Sequence, residues 1–361
     1  MRKSSSVFSS PRRALIAALA MTALGFNGIA AAAEKSSFKV AWSIYVGWMP
    51  WDYAKQSGIL KKWADKYGIK IELTQINDYV ESINQYTAGQ FDACVMTNMD
   101  MLTIPAAGGV DSSALIMGDF SNGNDGIVLK GKTLAAIKGQ KVNLVELSVS
   151  HYLLARALET VKLSERDITV VNTSDADIVG AFAAKSTTAT VTWKPQLSEI
   201  LAAPDAQLVF DSSKIPGEIM DLMVVNTKTL KENPKLGKAL IGAWYETIGV
   251  MMKNDAAGKA ARTAMAKASG TDLAGFESQL ATTKMYATPA EALAFMSSAD
   301  ASAKMDLVRK FSFDHGLLGE GAKTVDAVGI EFPGGKTLGN KQSIKMRFDA
   351  SYTQMAIDGK L

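Results

Sequence analysis

From residue 37 onward, short stretches of period-two hydrophobicity alternate with longer stretches whose apolar residues recur at helical spacing. Phe38, Val40, Trp42 and Ile44 predict a first strand. A helix is expected over 50–67: Pro50 suits its first turn, Leu60, Trp63, Ala64 and Tyr67 share a face, and Gly68 ends it. Ile69, Ile71 and Leu73 alternate again, and Asp78 can cap a helix bearing Tyr79, Ile83 and Tyr86. Buried strands are expected over Phe91–Met96 and Ala114–Met117. After a turn-rich stretch, Asp119 to Gly126, the pattern resumes with strands at Lys141–Val145, Ile168–Val171, Thr188–Thr192, Leu208–Phe210 and Leu222–Val225, and helices at Ser150–Lys162 and Asp175–Ala184. From about Pro234 the chain turns helical. Regular β-α alternation implies mainly parallel sheets flanked by helices, and two such sets with a helical tail imply two α/β lobes.

The first 33 residues stand outside this pattern. Arg2, Lys3, Arg12 and Arg13 precede an apolar run and then Ala31-Ala32-Ala33, with no acid before Glu34. This is the layout of a cleavable secretory signal, so a periplasmic protein is expected. Arg12-Arg13 loosely resembles a twin-arginine signal. Removing the four leader charges takes the formal net charge from +3 to −1, so nothing suggests nucleic-acid binding. Cys94 is the single cysteine, which excludes an intramolecular disulfide; it reads as a small buried hydrophobe. No lipid-attachment cysteine follows the apolar run, and nothing indicates obligate oligomerisation, so a monomer is expected.

No phosphate loop, nucleophile elbow or dinucleotide fingerprint occurs, and no cofactor is expected. The two histidines, His151 and His315, are far apart in sequence, so neither a zinc site nor a catalytic triad is expected. Ligands of open α/β sheets bind beyond the carboxyl ends of the strands. Four stretches at such positions are chemically dense. Tyr45-Val46-Gly47-Trp48-Met49-Pro50-Trp51 places three aromatic rings in one loop, as a pocket wall or as packing beneath it. Asn98 and Asp100 follow a buried strand, where they can cap a helix or face a cleft. Asp125 ends the turn-rich run where one lobe would hand over to the next. Glu146, Ser148 and His151 lie between a strand and a helix, with Ser148 or Ser150 a natural N-cap and Glu146 a candidate ligand carboxylate. Trp193-Lys194-Pro195 follows a further strand; Trp193 suits either core or pocket.

These stretches, with Gly58-Ile59-Leu60, Ser150-His151-Tyr152-Leu153-Leu154 and Asp211-Ser212-Ser213-Lys214-Ile215-Pro216-Gly217, give the chain from about Phe38 to its end a resemblance. It resembles periplasmic binding proteins of ABC importers of the nitrate, sulfonate and taurine type. Within that superfamily it looks most like those linked to urea-carboxylase operons. The resemblance implies a type II periplasmic binding protein: two α/β lobes joined by two hinge crossings. Lobe one would be 36–126 with 226–361 and lobe two 127–225, crossing at Gly126–Leu129 and Leu222–Asn226. It implies a small ligand carried to an ABC permease, and it transfers Tyr45, Trp48, Asn98, Asp125, Glu146, Ser148, His151 and Trp193 as candidate ligand-binding residues. Pyrimidine-synthesising relatives are enzymes with a cysteine-rich motif, and a chain with Cys94 alone lacks it.

The group resembled implies a small nitrogen compound, guanidinium or urea. Asp125 and Glu146 could accept forked hydrogen bonds from a guanidinium while Trp48, Tyr45 or Trp193 stacks on its face. The helix start after Ser150, and Lys194, point instead to an anion such as a sulfonate or nitrate. An enzyme on the same fold would need an acid-base pair in the cleft, and Asp125 with Glu146 is the pair to consider; a binding protein needs none.

Overall fold

The computed structural model describes residues 35–361; the expected leader lies outside them. In chain order, β1 (Ser37–Trp42), β2 (Lys70–Gln75), β3 (Ala93–Thr97) and β4 (Ser112–Ser121) enter one sheet. Then β5 (Asp125–Lys130), β6 (Lys141–Leu144), β7 (Thr169–Asn172), β8 (Ala189–Trp193) and β9 (Ala206–Asp211) form another. The chain returns with β10 (Met220–Asn226), β11 (Thr283–Met285), β12 (Gly329–Glu331), β13 (Thr337–Leu338) and β14 (Ile344–Phe348). The first sheet runs β13-β12-β14-β4-β10-β3-β1-β2, with β11 beside β4; the second runs β7-β6-β8-β5-β9. The fold is that of a periplasmic binding protein, mixed α/β with two sheets.

Pairing is parallel where helices connect strands, as in β1 with β2 and β3, or β6 with β7 and β8. The antiparallel pairs are those of the first strand after each change of sheet, β5 with β8 and β9 and β10 with β3 and β4, together with β11 on β4 and β12 on β13. The expected crossings fall inside these strands. Asp125 and Met220 already sit in their ladders, so the switches are residues 122–124 and 212–219. The switches are fastened together: the Ser121 and Ser212 hydroxyls lie 2.6 Å apart, and the Gly123 amide donates to Ser212 Oγ at 2.7 Å.

The expected 50–67 helix is two helices, Met49–Gln56 and Ile59–Lys66, because Gly58 has φ of +80°, a left-handed conformation that glycine adopts without strain. The supposed turn-rich run is mostly strand, with only Asn122–Asn124 outside β4 and β5. Asp78 caps the Tyr79–Thr87 helix by accepting from the Glu81 amide, as the sequence predicts. Cys94 is fully buried in β3, where burial pushes its thiol up to about 12, and it behaves as packing. No helix among the described residues is long and apolar enough to cross a membrane.

Candidate functional site

Strand ends converge where the sheets meet. Ladder register puts Asp221 of β10 beside Asp119 of β4 and Thr97 of β3, and puts Asp125 of β5 beside Trp193 of β8. Between these ends lies a tight cavity of about 20 Å³, lined by Tyr45, Trp48, Tyr79, Thr97, Asp125, Val149, Trp193, Ile219 and Asp221. That is room for about one water, so a larger ligand has to part the walls. A broader crevice beside Glu331, Arg347 and Tyr352 is more open, and Arg347 is already paired there with Asp111 and Glu331.

The walls are aromatic. Tyr45 meets Trp48 edge-on with centroids 5.1 Å apart, Trp48 stacks on Tyr79 at 5.7 Å, and Tyr79 meets Trp193 edge-on at 5.7 Å. The rings thus run from the loop after β1 to the end of β8. Trp51, the third ring of the 45–51 run, packs on Trp244 instead. A side chain at Gly47 would place its Cβ 2.3 Å from Asp119 Oδ2, so only glycine lets the loop approach this acid.

The floor is acidic. Asp100, Asp119, Asp125 and Asp221 are all buried. Asp100 accepts from the Tyr79 hydroxyl at 2.6 Å and from Thr97 Oγ1 at 2.8 Å, and Tyr45 donates to Asp119 at 3.2 Å. The Asp125 amide donates to Ser121 Oγ. Asp100 Oδ1, Asp119 Oδ2 and Asp221 Oδ2 have no hydrogen-bond donor. Among the described residues, no lysine or arginine lines the cavity. Lys194 turns aside to donate to Thr282 Oγ1, and Arg156 is taken by Glu218. Burial therefore pushes the Asp125 carboxyl up to about 7 and Asp100 up to about 6. Asp119 and Asp221, side by side in the ladder, are both raised by burial, Asp221 further by the charges of Asp119 and Asp125.

Helix starts supply the opposing field. Trp48 and Thr97 are N-caps, and Tyr79 and Val149 are the first residues of helices. Each N-terminus carries roughly half a positive charge at most. Asp78, Thr97 and Ser148 already accept N–H groups at three of these starts. The Trp48 indole N–H is the one orphan donor among the lining side chains, against the unpartnered acid oxygens. Asp125 and Asp221 in the wall, with Asp100 and Asp119 behind it, have no basic partner among the described lining residues, and this suits a cation that holds them ionised.

Of the residues expected from sequence, Tyr45, Trp48, Asp125 and Trp193 line this cavity. The others do not. Glu146 is exposed, because the chain beyond β6 turns it to solvent. Asn98 is buried, donating to the Glu218 carbonyl and accepting from the Met220 amide, which fixes the return into β10. Ser148 caps the Val149–Thr160 helix, accepting from the Ser150 amide. His151 bonds to Glu165, which also receives His315, so the two histidines expected to be unrelated meet at one carboxylate. Sequence reasoning left out Tyr79, Thr97 and Asp221 from the candidate residues and Asp119 behind the lining; Asp100, expected to cap a helix or face a cleft, lies behind it. The one signal for Asp221 was a charge at the entry of an apolar strand.

A model of the NMT1-like family matches residues 31–266. Among solved structures, the alkanesulfonate-binding protein SsuA from Xanthomonas axonopodis pv. citri, bound to MOPS, superposes with a TM-score of 0.65 at 19% identity, covering 82% of this chain and 99% of that one. The periplasmic aliphatic sulphonate binding protein SsuA from Escherichia coli gives 0.64 at 18%, covering 79% and 94%. The periplasmic nitrate-binding protein NrtA from Synechocystis PCC 6803 gives 0.57 at 12%, covering 91% and 99%. No curated protein matches the sequence.

Proposed function

The chain belongs to the NMT1-like family, and from that premise we propose that it is the periplasmic solute-binding component of an ABC importer whose ligand is a small planar cation, guanidinium. One observation carries the reading: a tight cavity ringed by aromatic faces and buried carboxyls, with no basic side chain among the described residues that line it. Guanidinium supplies forked donors that match carboxylate oxygens, and its flat face suits stacking on Trp48 or Trp193, worth about 0.5–2 kcal/mol per ring.

We assign one lobe to 36–121 with 220–361 and the other to 125–211. Asp125 then belongs to one and Asp221 to the other, so a cation between them draws the lobes together. The closed form is favoured only by what the ligand gains there beyond its contacts in the open form. No bond is made or broken, and the closed form is what a membrane permease would receive. The protein is a binder rather than an enzyme. The named neighbours with this fold are likewise binding proteins.

The helix starts and the orphan Trp48 N–H favour a second reading, a sulfonate or nitrate such as the neighbours bind. An anion would have to sit against Asp125 and Asp221 with no lysine or arginine among the described lining residues to meet it. Urea, neutral, would leave the acids uncompensated. A thermal-shift panel of guanidinium, amidines, urea, taurine and nitrate separates these. Guanidinium should raise the melting temperature most, and taurine and nitrate should leave it unchanged. A shift with taurine or nitrate alone would overturn the cation reading.

The exposed position of Glu146 gives a second check. Glu146→Gln should leave guanidinium affinity within about twofold by calorimetry, as expected for a surface change. A large loss would put the site beside the Val149–Thr160 helix start instead.

A further inference from the structure

His151, Glu165 and His315 bring three ligand atoms within 4.8 Å of one another, and none of the three lines the aromatic cavity. Both histidines of the chain are used here. His151 lies in the helix that follows β6, Glu165 in the short turn after that helix, and His315 at the end of the Ala299–Asp314 helix. The Nε2 atoms of the two rings face different oxygens of Glu165, with ring centroids 5.6 Å apart. We propose that these three side chains form a transition-metal site, of the two-histidine, one-carboxylate kind that suits Zn²⁺, and that the metal clasps the two helices across the lobe boundary.

Three further observations support it. His315 is oriented for ligation: its Nδ1 donates to the Phe311 carbonyl at 2.9 Å and its ring stacks on Phe311 at 3.9 Å, leaving Nε2 aimed at the cluster. Backbone acceptors on the far nitrogen are the usual partners of ligating histidines. Second, the site can be reached. The side chains of Glu165 and His315 keep 28% and 22% of their surface exposed, beside a crevice lined by Arg156, Leu163, Lys310 and Asp314. Third, the cations at that crevice are neutralised, Arg156 by Glu159 and Glu218 and Lys310 by Asp306, so they offer little barrier to a metal ion.

The protons account as follows. Without metal, His151 Nδ1 accepts the Leu147 amide at 3.1 Å, so a neutral ring carries its proton on Nε2 and donates it to Glu165. Metal at Nε2 moves that proton to Nδ1 and breaks the Leu147 bond. His315 donates from Nδ1 to the Phe311 carbonyl and from Nε2 to Glu165, so a metal at its Nε2 releases that one proton to solvent and leaves the Phe311 bond intact. His315 and Glu165 are therefore the strong ligands and His151 the weaker third, with water completing four-coordination.

The test is calorimetric titration of the chelator-treated protein with Zn²⁺ against a competing chelator. One site per chain is expected, weakened roughly 100-fold by His315→Gln or Glu165→Gln and less by His151→Gln. Guanidinium binding and melting temperature of each variant show that it is folded, and they also keep a failure here distinct from a failure of the cation cavity. Should a variant misfold, Co²⁺ in the unaltered protein decides. Visible bands of a four-coordinate ion support the site, whereas the spectrum of the aqueous ion overturns it. Zn²⁺ affinity unchanged by His315→Gln, or no saturable site, also overturns it.

Discussion

Asp125→Asn should weaken guanidinium binding by roughly 30-fold to several thousand-fold, the range for removing one charged partner of a buried pair, about 2–5 kcal/mol. The carboxyl is buried beside Trp193 at the start of β5, and its amide bonds to Ser121 and Ser212 are untouched by the change. Only the charge and one acceptor are lost. In the empty protein the same substitution removes a carboxyl that burial makes costly to ionise, so the ligand-free melting temperature should hold or rise. That combination, weak binding in a protein at least as stable, separates a ligand contact from a structural one. An unchanged calorimetric affinity would remove Asp125 from the site.

Acidification should produce a comparable loss. Burial, and then the nearby Asp100, push the Asp125 carboxyl up to about 7; Asp119 is raised by burial and then by Asp125, and Asp221 by burial and then by Asp119 and Asp125. A cation needs these groups ionised, whereas below neutrality it must displace protons. Affinity should fall about tenfold per pH unit for each proton displaced, measured between pH 7.5 and 5. An anion would show the opposite trend, binding better as the acids are neutralised. The stability sign follows from the same shift. An unfolded Asp loses its proton near 4, and the buried one holds it to about 7. Between those values the folded closed form binds more protons, so its ligand-free stability declines as pH rises through that window. Saturating guanidinium should offset the decline. A pH-independent affinity would contradict the role given to the acids.

Much of the fold was legible because periodicity and capping are local. Asp78 caps where its position says it should, and the first strand falls where Phe38, Val40 and Trp42 alternate. Local signals also found Tyr45, Trp48, Asp125 and Trp193, whose rings or charge stand at turns beside strand ends. What failed depends on register. Asp119 and Asp221 become neighbours only because β10 runs antiparallel to β4. The crossings were placed several residues late for the same reason, since nothing local says which sheet receives Asp125 or Met220. Glu146 was misread because a charge after a buried strand can turn either way, and here it faces solvent. The meeting of His151 and His315 is purely tertiary, and their distance in sequence concealed it.

The account stands on a planar cation held between rings and acids, and a crystal structure of the protein grown with guanidinium tests that directly. Flat density beside Trp48 and Trp193, with carboxylate oxygens of Asp125 and Asp221 within hydrogen-bonding distance of its nitrogens, is the predicted result. An empty cavity with guanidinium elsewhere, or an anion seated against the helix starts, would contradict it.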